Sequence, residues 1–233
     1  MTTQATDPPM RVSGDASDEQ LQMASGQGEA YGRALRAAGV TATCRAGDYL
    51  VALVNGEAEG AYEWDDGELV WREAAPDANV HLEVAIADGA DGRFVPGLTV
   101  HVDLAQDGHS VVSTDLPFLW HPYLYHYGGN AALPGTGPYD VTIRIAPPKF
   151  MRHDPVNGQR YAQPVEATFT GVSLATGRKA SPQAQPRGAD APTAGGAGGL
   201  PEDWSAAAAR ARTTDDVRAR APHDQKGVPI SGR

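Results

Sequence analysis

The chain has 233 residues, 41% of them hydrophobic and 7% aromatic, with 27 glycines and 18 prolines. That is enough for one large domain, or an ordinary one with appendages, and the punctuation suits short strands and loops better than a helical bundle. A net charge of −10 without a basic stripe argues against a nucleic-acid partner, the longest purely apolar run (Tyr49 to Val54) is too short for a membrane span, and a lone Cys44 excludes a disulfide framework and any cysteine-based zinc site.

Residues 1–45 read as a polar N-terminal arm. Its first 18 residues are rich in Pro, Gly and Asp, and residues 19–38 form a candidate helix with Asp18 as N-cap and Gly39 as stop. Gly26, Gly28 and Gly32 each cost such a helix about 1 kcal/mol relative to Ala. Residues 1–30 lack a basic start followed by an apolar run, so no signal peptide is visible. The compartment therefore stays open: cytoplasmic if the chain is complete, exported if a leader is missing.

From Asp48 the apolar period becomes two. Residues 48–54 predict a strand. Tyr62 and Trp64, a turn at Asp66-Gly67, then Leu69 and Trp71 predict a hairpin. Val80, Leu82, Val84 and Ile86 share one face of a strand, as do Leu98, Val100, Val102 and Leu104. Asp107-Gly108 turns into a partner carrying Val111-Val112. Tyr139, Val141, Ile143 and Ile145 give another strand, ended by Pro147-Pro148, and Val165, Ala167 and Phe169 line the last one after a turn at Asn157-Gly158. Many half-buried strands at short spacing predict an all-β, immunoglobulin-like antiparallel sandwich over residues 46–175. Residues 176–233 read as a flexible linker and tail, with Ala/Gly/Pro-rich residues 180–200 and short helices over 203–220.

The chemistry rests on seven histidines. His81 and Glu83 lie two apart on one strand, so both point away from the Val80/Leu82/Val84/Ile86 face, where an imidazole and a carboxylate can share a cation. The aromatic run Trp120-His121-Pro122-Tyr123-Leu124-Tyr125-His126-Tyr127-Gly128 reads as a shaped loop presenting His121 and His126. His153 stands near a turn. His101 and His109 read as solvated, and Cys44 as a buried thiol. No nucleophile elbow, phosphate-cradling glycine loop or HExxH motif is present.

His126-Tyr127-Gly128 with Asn130, Leu133, Gly137, Tyr139 and Val141, then Pro147-Pro148, Arg152-His153, Asn157-Gly158 and Pro164-Val165, resembles the bacterial iron(II)-transport protein family over about residues 79–173. His81-Leu82-Glu83 resembles that family's His-x-Glu strand. A His-Tyr-Gly-x-Asn block also occurs in related archaeal sequences. The resemblance implies a periplasmic or extracellular, immunoglobulin-like, copper-binding protein of iron uptake, with metal ligands at His81, Glu83, His126 and His153. The family's methionine, about seven residues before the His-Tyr-Gly motif, is Leu119 here, and His121 or Met151 are the candidates to replace it. Loss of the thioether moves preference from copper(I) toward copper(II), iron(II) or zinc.

These readings predict a non-catalytic metal-binding protein of iron uptake or metal homeostasis, holding copper or iron, with zinc, an iron permease partner and a homodimer left open. The alternative is a sandwich-shaped protein-interaction module that has lost its metal.

Overall fold

The computed structural model describes residues 17–181. The chain divides into two units, Met1–Pro182 and Gln183–Arg233, and only the first contains described residues. The expected arm over residues 1–16, most of the linker, and the short helices at 203–220 lie outside them.

Helix α1 spans Asp18–Ala38. Its N-cap is Ser17, not Asp18: the Ser17 hydroxyl accepts from Gln20 N–H while the Gln20 side chain accepts from Ser17 N–H, a reciprocal capping box that Asp18 cannot make from inside the first turn. Gly39 closes the helix in the left-handed region at φ 81°. Leu21, Ala24, Gly28, Tyr31 and Leu35 recur at helical spacing on the less exposed face. Gly28 is buried because the helix crosses the main chain there. A Cβ at that position would stand 1.7 Å from the Asp91 carbonyl oxygen, so the apparent helix-weakening residue is what lets the helix seat.

Eleven strands follow: β1 Val40–Ala46, β2 Tyr49–Gly56, β3 Ala61–Asp65, β4 Glu68–Arg72, β5 Val80–Asp88, β6 Thr99–Gln106, β7 His109–Leu116, β8 Phe118–Leu119, β9 His126–Ala131, β10 Gly137–Ala146 and β11 Val165–Leu174. They form a five-stranded sheet in the order β1-β2-β5-β9-β8, a four-stranded sheet β11-β10-β6-β7, and the separate β3-β4 hairpin. Every pairing within these sheets is antiparallel. The fold is all-β, as expected.

One core joins the two sheets. Val80, Leu82, Val84 and Ile86 from β5, Val100, Val102 and Leu104 from β6, Val141, Ile143 and Ile145 from β10, and Tyr49, Val51 and Leu53 from β2 are all buried in it. Each such aliphatic contributes about 1.5–3 kcal/mol by leaving water. Tyr127 of β9 is also fully buried. Its hydroxyl donates to Val95 O at 2.8 Å and accepts from Leu98 N–H at 3.1 Å, which pins β9 to the segment leading into β6.

Three further points differ from the sequence reading. β1 begins at Val40, inside the expected arm, and pairs with β2. His126-Tyr127-Gly128 is strand rather than loop, because pairing with β5 satisfies its main chain. Cys44 is half-buried, not buried.

Candidate metal centre

β5 sends His81 and Glu83 to its outer face, opposite the core. β9 runs antiparallel beside it, with Asn130 opposite His81 and Gly128 opposite Glu83, so His126 points to the same outer face two residues beyond Gly128. The short β8 then sets Leu119 directly opposite His126. The outer-face positions His126, Gly128 and Asn130 of β9, with Leu119 of β8, are thereby fixed by register.

The outer face is not open. His81 and His126 are each only 5% exposed, and Glu83 is half-buried. Glycine makes the socket. A Cβ at Gly128 would lie 2.8 Å from His126 Cδ2 and 3.1 Å from its Nε2, so the imidazole rests where a side chain would otherwise be. Tyr31 of α1 donates to Tyr125 O at 2.6 Å, bringing the helix to the His126 end of β9.

One candidate ligand atom each from His81, Glu83 and His126 lie within 4.8 Å of one another. Glu83 Oε2 is 3.9 Å from His126 Nδ1, and the two imidazoles meet edge to face with centroids 5.8 Å apart. The hydrogen bonds select the tautomers. Asn130 Nδ2 donates to Glu59 O at 2.7 Å and its Oδ1 accepts from Glu59 N–H at 3.2 Å, which orients the amide. Its Oδ1 then accepts from His81 Nδ1 at 2.9 Å, leaving Nε2 of His81 with the lone pair. His126 Nδ1 donates to Leu124 O at 3.3 Å, and its buried Nε2 has no hydrogen-bond partner. An orphaned buried nitrogen costs free energy unless something fills its lone pair.

Burial lowers the His81 pKa, opposed by the Asn130 hydrogen bond and the Glu83 and Glu59 charges, and it lowers that of His126 as well. Burial raises Glu83, against the pull of His81. Burial thus favours the neutral imidazoles, the form that ligates. Two neutral imidazoles and one carboxylate in this compass fit a borderline divalent metal.

Residues 69–173 match the family described as Fe2+ transport protein. No curated protein matches the chain. Among solved structures, it is similar to FetP of uropathogenic Escherichia coli strain F11, at 22% identity over 59% of this chain and 95% of FetP, with a TM-score of 0.47. It is also similar to copper-bound variant and copper-reconstituted forms of Campylobacter jejuni P19. Each is 20% identical over 60% of this chain, covering 98% and 97% of P19, with a TM-score of 0.49.

Of the residues singled out from sequence over this span, the structure brings together His81, Glu83 and His126. His121 is exposed on the loop before β9, its Nδ1 accepting from Tyr123 N–H at 3.3 Å, yet its charge is felt by both Glu83 and His126. His153 is not brought to the cluster. It is exposed and lines a recess with Asp88, Arg93 and Tyr161. Asp88 lies five residues beyond Glu83 on β5, roughly 17 Å along the strand. Met151, two residues before His153, is 91% exposed and so does not stand in for the thioether within one copy of the chain. His101 faces solvent on the other sheet, where hydrogen bonding to Asp115 raises its pKa.

The sequence reading missed Asn130 and Glu59 as parts of the site. Asn130 stood inside the quoted motif block. Its role follows only from lying opposite His81 in register.

Proposed function

We propose that the protein is a non-catalytic metal-binding component of iron uptake or metal homeostasis, holding a divalent cation through His81, Glu83 and His126. The observation that carries this is the gathering of one candidate ligand atom each from His81, Glu83 and His126 within 4.8 Å of one another, on largely buried side chains. The iron-transport family match over the strands that carry all three residues supports the same reading. By the general affinity order of N/O sites, copper(II) binds most tightly, with zinc and iron(II) weaker. The compartment that goes with this reading is periplasmic or extracellular, and the partner is a permease or another uptake component.

Among the described residues no helix is long and apolar enough to cross a membrane. Elemental analysis of purified protein, followed by copper(II) calorimetry on wild type and His126→Ala, tests the proposal. Tight binding by wild type and its loss in the variant are expected. Equal binding by both would favour the metal-free interaction module.

A further inference from the structure

The rim of the site beside His81 is built from two segments outside the family match, 57–59 and 177–179. They run parallel, with Ala58 bridged to Arg178. Ala58 N–H donates to Gly177 O at 3.0 Å and Lys179 N–H to Ala58 O at 2.9 Å. Gly177 N–H donates to Asn79 O at 2.7 Å, and the Arg178 guanidinium holds the carbonyls of Ala74, Ala75 and Ala78. Beneath this brace Ala58, Ala74 and Ala78 form a small buried cluster of their own. The rim is therefore a fixed part of the fold.

Glu59 sits at its inner end. Its main chain grips the Asn130 amide, so a single side chain separates it from the His81 imidazole. Its carboxylate pairs with the Lys179 ammonium, in a contact whose side chains are 32% and 50% exposed. The Glu59 charge bears on His81, Glu83 and His126 alike, and the Lys179 charge bears on Glu83. Gly56, three residues before Glu59, stands opposite His81 in register, so this rim segment borders the cluster while the Glu59 carboxylate itself is held on Lys179.

We propose that Glu59 is a capture carboxylate of the metal centre, held by Lys179 in the absence of a cation and released to an arriving divalent ion. The proposal rests on the metal-binding reading above. An exposed ion pair of this kind is weak, and a doubly charged cation already held by two imidazoles and Glu83 competes for the same oxygens with a larger charge than an ammonium. Adding Glu59 turns a two-nitrogen, one-oxygen set into one with two carboxylates. That hardens the site toward iron(II) and zinc, whose oxygen affinity is served by carboxylate, and offsets in part the missing thioether at Leu119. Lys179 keeps the rim from presenting two unpaired carboxylates when no metal is present.

A double-mutant cycle on the full chain separates this from a general field effect. Zinc(II), and iron(II) without oxygen, are titrated against a chromophoric chelator for wild type, Glu59→Gln, Lys179→Gln and the double variant, with thermal melts to confirm folding. Glu59→Gln keeps the main-chain bonds to Asn130 and the side-chain volume, and should weaken both metals about tenfold. Lys179→Gln frees the carboxylate and should tighten them about fivefold. In the double variant the lysine effect should vanish, because there is no carboxylate left to free. The same gain from Lys179→Gln with and without Glu59 would show long-range charge alone and overturn the proposal, as would unchanged affinity in Glu59→Gln. If wild type bound neither metal, this inference would fall, and the metal-binding reading would fall with it only if copper(II) also failed to bind.

Discussion

One added methyl group at Gly128 tests whether His126 is held where a metal needs it. The new Cβ would stand 2.8 Å from His126 Cδ2 and 2.9 Å from the Leu82 carbonyl oxygen. That carbonyl belongs to β5, the middle strand of its sheet, and cannot retreat. The imidazole must therefore move by at least 0.6 Å, from 2.8 Å to the 3.4 Å where ordinary contact begins. Overpacking of this kind costs about 1–3 kcal/mol, and the reduced freedom of the unfolded chain returns about 0.4–1 kcal/mol. A net loss of about 1–2 kcal/mol lowers Tm by about 2–8 °C in a domain of this size. Displacing one imidazole of the pair should weaken copper(II) about 100-fold. Gly129→Ala is the control, since its Cβ would meet only Leu116 Cδ2 at an ordinary 3.6 Å. Calorimetric titration with copper(II) and scanning calorimetry of both variants give the answer. Equal affinity and equal Tm for Gly128→Ala and Gly129→Ala would refute the argument that this glycine shapes the site.

Leu119 lies opposite His126 in the sheet, so Leu119→Met should bring a thioether to the site and raise copper(I) affinity; competition against a copper(I) chelator showing no gain would reject that placement. His109→Ala, in an exposed hairpin position on the other sheet, should leave copper(II) binding as in wild type, and a loss there would mean the metal sits elsewhere. Because burial depresses the His81 and His126 pKa values, the unfolded chain takes up protons that the folded one refuses as pH falls below about 6.5. Their contribution to metal-free stability is complete above that pH and declines on acidification toward the folded values. Denaturant melts across this range should therefore fall less steeply for His126→Gln than for wild type, and identical slopes would contradict it.

The strands were legible wherever one face is buried and the next residue is polar, as in Val80 to Ile86 and Tyr139 to Ile145. The shared orientation of His81 and Glu83 followed from the same period of two. β1 escaped notice because its inward positions, Val40, Ala42 and Cys44, are small or half-buried and give little contrast with Thr41 and Thr43. β9 reads locally as a turn, since it holds two glycines next to a proline-containing aromatic run. Gly128 is there to admit the His126 ring and the β5 main chain, a tertiary demand that outweighs local propensity. Sequence spacing could not say at which end of the sandwich His153 emerges. Nor could it bring Glu59 to Lys179, 120 residues away, because that contact depends on two rim segments meeting beside a third.

The register of β5 also bears on how this unit can be cut. The family match begins at residue 69, within β4, yet β5 pairs along its length with β2, from Tyr49 to Gly56. A fragment made to the matched boundaries would strip β1 and β2 from the sheet and leave the ligand-bearing strand as a long, apolar open edge, with unmet N–H and C=O groups. Such an edge recruits strands from other molecules. The fragment should aggregate rather than serve as a minimal metal binder, and any fusion or graft of this site has to carry the chain from β1 onward.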